Sequence, residues 1–398
     1  MHVFSARSLA VVAAAALAAG GLGACGRSEP RSVNTPVVGL NGDQAKAAPA
    51  LGFPIFATKN TTRVGGADPV ADAAGIALAV YPSSSAATRP KAVTLVDVAD
   101  WRAAVAASVL MSGPIRAPIL FGNGGGLPGA TADALAALAP AGSEKAAGAQ
   151  VIRVGDVARP KGLRTTDLVG KDDFALARAI DAFQASARGA TADSVVVASA
   201  EHPEYAMPAA AWAAKSGDPV LFVNRNEVPA DTRAALRAHE QPHIYLLGPG
   251  SAISSNVAHE LKKLGTVVRI AGGDAQRTAV AFARYTDGRF GWGVVDPGHG
   301  LVFANPSRPA DAGAAAPLSA SGTWGPLLLV GSDGRLSAPL TNYLLDIQPG
   351  YAKDPTRGVY NHGWLVGDDK AISVDSQSRI DSMLEISPAS NRLPSGAP

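Results

Sequence analysis

One cysteine, seven histidines and a scatter of carboxylates are the side chains with which this 398-residue chain could do chemistry. Their spacing excludes most of it. The histidines form no HxH or HExxH pair and no cysteine stands beside them, so zinc-site spacing is absent. No GxSxG elbow occurs to present a nucleophilic serine. His299, in Asp296-Pro297-Gly298-His299-Gly300, and His362, in Tyr360-Asn361-His362-Gly363, sit in turn-forming contexts. The carboxylate pairs Asp172-Asp173 and Asp368-Asp369 stand where helices or turns begin, and there an acid caps free N–H groups and suits the helix dipole. A glycosidase pair stays open, because the separation of two carboxylates in space is not legible in a chain. Gly124-Gly125-Gly126-Leu127-Pro128-Gly129 fits GxGxxG, the loop that sets backbone N–H groups against a pyrophosphate. Pro128 removes one donor, and no acid follows at the distance of a ribose partner, so a plain turn is expected. Neither a cofactor nor a metal is expected.

The elements that would position these residues repeat. His243 to Arg284 reads as strand, turn, helix, strand, turn, helix. Ile244–Leu247 is an apolar run broken by Gly248-Pro249-Gly250. Ser254 or Ser255 can cap a helix whose apolar positions Val257, Leu261 and Leu264 share one face, and Gly265 stops it. Val267–Ile270 is the next strand, and Gly272-Gly273-Asp274 turns it into another helix. A Gly-x-Asp turn between strand and Ala-rich helix occurs three times, at Gly66-Ala67-Asp68, Gly170-Lys171-Asp172 and Gly272-Gly273-Asp274, spaced by 104 and 102 residues. An apolar strand ending in glycine also recurs, at Val151–Gly155, Ile244–Gly248 and Gly363–Gly367. Self-similarity at this period indicates three diverged copies of one domain-sized unit. Strands alternating with helices predict parallel sheets. The third copy is stretched, partly in Asp346–Gly363, a loop rich in Tyr, Pro and polar groups; it either serves function or covers a sheet edge.

The run Arg269-Ile270-Ala271-Gly272-Gly273-Asp274, followed by Thr278-Ala279, resembles the opening motif of the bacterial cell wall-binding type 2 repeat. IYLLGPGSAISSNVAHEL, from Ile244, resembles that repeat's closing strand and helix. The first copy keeps Arg63, Gly66 and Asp68; the second keeps Gly170 and Asp172 but has Asp167 where the others have arginine. The resemblance implies an α/β fold of three tandem Rossmann-like, flavodoxin-like parallel-sheet repeats packed with pseudo-threefold symmetry. The expected organisation is a lipoprotein signal peptide at 1–24, a tether at 25–57, repeats at 58–160, 161–262 and 263–386 (the last with an insertion), and a flexible tail at 387–398. The motif residues Gly66, Asp68, Gly170, Asp172, Gly272 and Asp274 are read as structural, the aspartates as N-caps. Arg63 and Arg269 end strands at a strand-to-helix switch, where ligands of open parallel sheets bind. Each either meets an anionic ligand through its planar fork or bridges copies through a neighbour's carboxylate.

The N-terminus and composition complete the expectation. Leu9–Ala19 is an apolar core of signal-peptide length, too short to span a membrane comfortably. Leu22-Gly23-Ala24-Cys25 matches a lipobox, so Cys25 is expected to carry acyl chains that hold the protein on the outer face of the cytoplasmic membrane. No second cysteine exists for a disulfide. With 35 basic and 33 acidic residues the chain has no global field to attract nucleic acid. Aromatics make up only 6%, so cores of Ala, Val and Leu are expected. The leading expectation is a non-enzymatic envelope lipoprotein, a monomer with an internal pseudo-trimer. It would bind the wall non-covalently through anionic glycopolymers. The alternatives are a solute-binding lipoprotein of a transport system and an enzyme acting on envelope glycans.

Overall fold

A computed structural model describes residues 56–322 and 324–388. Cys25, the signal segment, most of the expected tether and most of the expected tail lie outside the described residues. The described chain opens with a hairpin, β1 (Phe56–Ala57) and β2 (Thr61–Val64), followed by α1 (Pro69–Val80). Three sheets come next, each with one strand order. The first is β4 (Ile119–Gly122), β3 (Val93–Asp97), β5 (Val151–Val154) and β6 (Thr165–Leu168). The second is β8 (Val220–Val223), β7 (Ser194–Ser199), β9 (His243–Leu247) and β10 (Thr266–Ile270). The third is β12 (Leu327–Leu329), β11 (Gly300–Ala304), β14 (His362–Val366) and then β2, with β1 antiparallel outside it. Apart from β1, every pairing in the three sheets is parallel. β4, β7, β8 and β11 are buried along their whole length, as strands covered on both faces by helices must be.

Each sheet is built from two sequence copies rather than one. β6 and β10 open the second and third copies, yet each pairs with the closing strand of the copy before: Val151 with Thr165, and His243 with Thr266. The third sheet is completed differently. Its fourth strand is β2, from the start of the described chain, with Gly363 opposite Thr61 and Val366 opposite Val64. The three units therefore close on themselves.

Helices fill the centre. α2 (Trp101–Ala107), α5 (Pro203–Ser216) and the pair α9 (Asp311–Ala314) and α10 (Ala316–Ala320) each follow the first strand of their sheet, and they pack against one another. They are rich in buried alanines, among them Ala103, Ala104, Ala106, Ala107, Ala209, Ala210, Ala213, Ala312 and Ala314, which lets backbones approach closely. At the tightest point even alanine would not fit: a Cβ on Gly313 would lie 2.9 Å from that of Ala104. The Gly-x-Asp helices bridge neighbouring units. α1 lies between α9 and α3 (Gly129–Leu138), α4 (Asp173–Arg188) between α2 and α6 (Ala230–Ala238), and α8 (Ala275–Arg284) between α5 and α11 (Ala338–Asp346). Asp68, Asp172 and Asp274 are their N-caps, accepting from Ala71, Ala175 and Arg277 N–H at 2.9, 2.8 and 2.7 Å. A Cβ on Gly170 or Gly272 would fall within 2.2 Å of Leu176 N or 2.3 Å of the Arg277 Cβ, so no larger residue fits those turns.

The third copy holds two insertions. Residues 285–299 bring Phe290 and Trp292 against Trp212, and Phe290 stacks on Tyr245 with ring centroids 3.6 Å apart. Several of the sparse aromatics thus gather in one cluster around Trp212 of the central helix α5. The Asp346–Gly363 loop is pinned to the end of the described chain: β13 (Gly350–Tyr351) pairs with β15 (Ser387–Pro388). Asn361 accepts from Gly298 and His299 N–H and donates to the Ile347 carbonyl.

One buried ionisable contact makes the fold sensitive to pH. His239, at the end of α6, places Nδ1 2.8 Å from the Ala192 carbonyl and Nε2 2.8 Å from the Asp181 carboxylate on α4. Both nitrogens face acceptors, so both carry a proton. Burial alone would lower the imidazole pKa, but the hydrogen bond and charge of Asp181 outweigh it and raise it above 6.5. The folded state therefore holds this proton more tightly than the unfolded chain. The stabilisation is complete below pH 6.5 and is lost as pH rises through the raised value. NMR titration of His239 is expected to show this pKa, and Asp181→Asn to bring it below 6.5. An unchanged titration in that variant would refute the assignment.

Candidate functional site

In an open parallel sheet of this order, connections from the first and third strands leave in opposite directions, and a crevice forms beyond their carboxyl ends. Each unit has one. The first is bordered by Asp97, Asp100, Trp101 and Arg102 after β3; the second by Glu201, His202, Glu204 and Tyr205 after β7; the third by Arg308 after β11 and Asp368 after β14. The neighbouring unit's Gly-x-Asp turn stands beside it. Arg102, from the first unit, donates to the Ala200 carbonyl of the second and lies 3.5 Å from Asp173 on the bridging helix α4.

Glu204 faces the His202 ring at 3.3 Å, and the other acids at these crevices are engaged with backbone donors. Asp97 accepts from Ala99 N–H, Asp100 from Ala103, Glu201 from Arg225 and Asp368 from Lys370 and Ala371. A carboxylate fixed by one such bond still has lone pairs for a hydroxyl donor. This chemistry suits binding of a hydroxyl-rich ligand.

The third crevice contains a cluster that sequence reasoning missed. Arg308 contacts Asp72 on α1, Asp311 on α9 (Nε to Oδ2, 2.9 Å) and, more distantly, Asp368 at 3.9 Å. Asp72 and Asp311 are both fully buried. Burial, and then the charge of Asp311, pushes Asp72 well above the usual carboxylate range against the pull of Arg308. Burial pushes Asp311 up to about 6, opposed by the same arginine. The repeat register held a signal for this cluster. Asp72 occupies the position of Thr278 in the third copy, six residues past the motif glycine. Both side chains accept from that glycine's N–H, Asp72 from Gly66 and Thr278 from Gly272.

The motif arginines serve the joints between copies. Arg63 is 2% exposed and all five of its N–H groups are spent. Nη1 donates to the Gly367 and Asp368 carbonyls, Nη2 to the Ile372 carbonyl, and Nη2 and Nε to Gln377 Oε1. The expected anionic ligand has no donor left to meet there. The bridge runs to backbone carbonyls and an amide rather than to a neighbour's carboxylate. Arg269, half-buried, repeats the pattern on the Gly248 and Ile253 carbonyls, both at 2.8 Å. In the first sheet the roles are exchanged: Arg153 on β5 donates to the Val157 carbonyl and pairs with Asp167 on β6 at 2.8 Å.

The GxGxxG stretch follows the edge strand β4, away from the crevice. Asn123 and Gly126 close a tight turn there, matched by Asn224 and Glu227 after β8. His299 meets Asp296 at 3.4 Å, and His362 meets the Thr62 hydroxyl at 3.1 Å. Among the described residues no group of three or more His, Cys, Asp or Glu is placed to hold a metal. None of the described helices is long and apolar enough to cross a membrane.

Residues 168–258 and 269–376, together half of the chain, match the family described as cell wall binding domain 2 (CWB2). The chain belongs to this family. The two matched CWB2 segments fall on the second and third copies, and the first copy contributes to sheets of the same strand order. N-acetylmuramoyl-L-alanine amidase LytC of Bacillus subtilis (strain 168) is 30% identical over 95 residues, 24% of this chain and 19% of the amidase. Two solved structures share the fold of this CWB2 protein. Cwp8 from Clostridium difficile has a TM-score of 0.64 at 19% identity, covering 82% of this chain and 52% of that one. Cwp6 from Clostridium difficile has a TM-score of 0.63 at 18% identity, covering 82% and 48%. The chain thus spans about a fifth of the amidase and about half of each solved relative.

Proposed function

We propose that the protein is a lipid-anchored, non-enzymatic envelope protein that holds the wall non-covalently through its glycopolymers. Membership of a cell wall-binding family, with three like units arranged in a closed set, is the observation that carries this reading. Three units of like strand order in one closed set favour a repetitive polymer over a small solute, because weak contacts on linked sites multiply. The lipobox ending at Cys25 supports the anchor.

Anionic groups of such a polymer need cations free of internal partners. Arg269 commits two donors to carbonyls and keeps others for a ligand. Arg225 and Lys370, both exposed just beyond the carboxyl ends of β8 and β14, have no ion-pair partner among the described residues.

Co-sedimentation with purified walls tests the reading, using walls before and after their anionic polymers are stripped. The protein is expected to pellet with intact walls, less so in high salt and less after stripping. Arg225→Glu with Lys370→Glu is expected to weaken retention by about fivefold, the equivalent of about 1 kcal/mol from two surface charges. Absence of pelleting from either preparation would exclude wall binding. Equal pelleting from both would exclude the anionic polymer alone.

A further inference from the structure

The three units differ at one connection. In the second and third, the chain leaving the third strand forms a helix: α7 (Ser255–Leu261) after β9 and α12 (Val374–Leu384) after β14. α7 is joined to α6 by an ion pair between Glu260 and Arg233, and α12 packs on α11. In the first unit the link from β5 to β6 is residues 155–164 and contains no helix. An open groove of about 640 Å³ lies there instead, between α3 and the link. Ala132, Leu135, Ala136 and Ala139 line one side, and Pro160 and Leu163 the other.

The host helices align residue for residue. Thr131 and Thr232 make the same bond, to the Phe121 and Phe222 carbonyls, and Leu135 and Leu236 are both buried four residues later. In this register Ala132 and Ala136 replace Arg233 and Arg237, and Ala139 replaces Glu240. The charged face of α6 has become small and apolar on α3. Arg89 and Lys161 also line the groove; both are exposed and have no acidic partner among the described residues. The covered units show what fits such a face: a helix of about two turns that buries Val257 and Leu261 and offers Glu260 to a host arginine.

We propose that this groove docks a short amphipathic helix with acidic residues along its edge, supplied by another protein. The apolar side would lie on Ala132, Leu135 and Ala136, and the acids would face Arg89 and Lys161. This is the helix-in-groove mode of recognition, with charge complementarity setting orientation. The proposal is independent of wall binding, because it concerns the outer face of one unit rather than the crevices.

The probe is a labelled peptide of residues 254–264 of this chain, held helical by a side-chain bridge, with Lys262 and Lys263 replaced by glutamate. Fluorescence anisotropy with the purified full chain is expected to show saturable binding that weakens in salt. Ala132→Arg with Ala136→Arg restores the side chains of α6 at exposed positions and is expected to weaken binding tenfold or more. Thermal unfolding of this variant checks that it is folded. Lys161→Glu is expected to weaken binding several-fold. No saturable binding, equal binding to the double-arginine variant, or equal binding of a lysine-for-glutamate peptide would overturn the proposal. So would sedimentation showing a dimer that the double-arginine variant dissolves, since the occupant would then be a second copy.

Discussion

Arg63→Ala is expected to destabilise the protein by about 3–5 kcal/mol, with the loss concentrated where the first and last parts of the chain meet. The side chain is 2% exposed, and its removal leaves the Gly367, Asp368 and Ile372 carbonyls and the Gln377 amide oxygen without their donor. A buried acceptor left unpaired costs about 1–3 kcal/mol, and hydrogen bonds from a charged donor are the stronger kind. Water entering the vacated space would offset part of the sum. Arg269→Ala removes two carbonyl bonds at a half-buried site and is expected to cost about 1–2 kcal/mol. Denaturant unfolding of both variants measures the difference, and amide exchange along β2 and β14 locates it. Equal losses would show that Arg63 does not lock the closure.

Arg308→Leu is expected to be as damaging near neutral pH, and for an electrostatic reason. It strands Asp72 and Asp311, both fully buried, without their shared cation. Breaking such a cluster by removing one partner costs about 3–5 kcal/mol. The pH dependence has a definite sign. Both carboxylates already have folded-state pKa values above those of the unfolded chain, Asp311 at about 6. Their contribution to stability is therefore complete below the unfolded value of about 3.9 and is lost as pH rises through the folded ones. Without Arg308 both values climb further, because only protons can neutralise the pair. The variant's deficit is expected to be large at pH 7.5 and to shrink markedly at pH 5. A deficit equal at both pH values would mean that lost packing, not stranded charge, is responsible.

What could be read from the chain was local. The Gly-x-Asp turns, the N-caps and the apolar strands ending in glycine depend on residues within one turn of each other, and the structure places them at those positions. The decoy GxGxxG was likewise decided locally, by Pro128. The ownership of each opening strand was not legible. Thr61 pairs with Gly363 across three hundred residues, and a short strand carries no mark of which neighbour it will join. The role of Arg63 was hidden for the same reason: an arginine ending a strand looks alike whether it faces a polymer or carbonyls from the far end of the chain. The cluster around Arg308 draws its acids from α1 and α9, so no window of sequence contains it. The aromatic cluster was masked by average composition, which reports how many rings exist but not that several of them gather around Trp212.

The position of β2 has a consequence for how the protein comes to be folded. Synthesised and exported from its N-terminus, the chain delivers β2 long before its partner β14, with the strands of the first two sheets in between. For most of that passage β2 presents a strand edge with nothing to pair against, the kind of edge that recruits wrong partners. The first two sheets can form from what has already emerged, but the third waits for the end of the chain, and pairings of such long range are slow to form. A chain cut short before residue 362 would retain two complete sheets and a β2 paired only with β1, its other edge permanently open, so premature termination is expected to yield an association-prone product rather than a smaller working one.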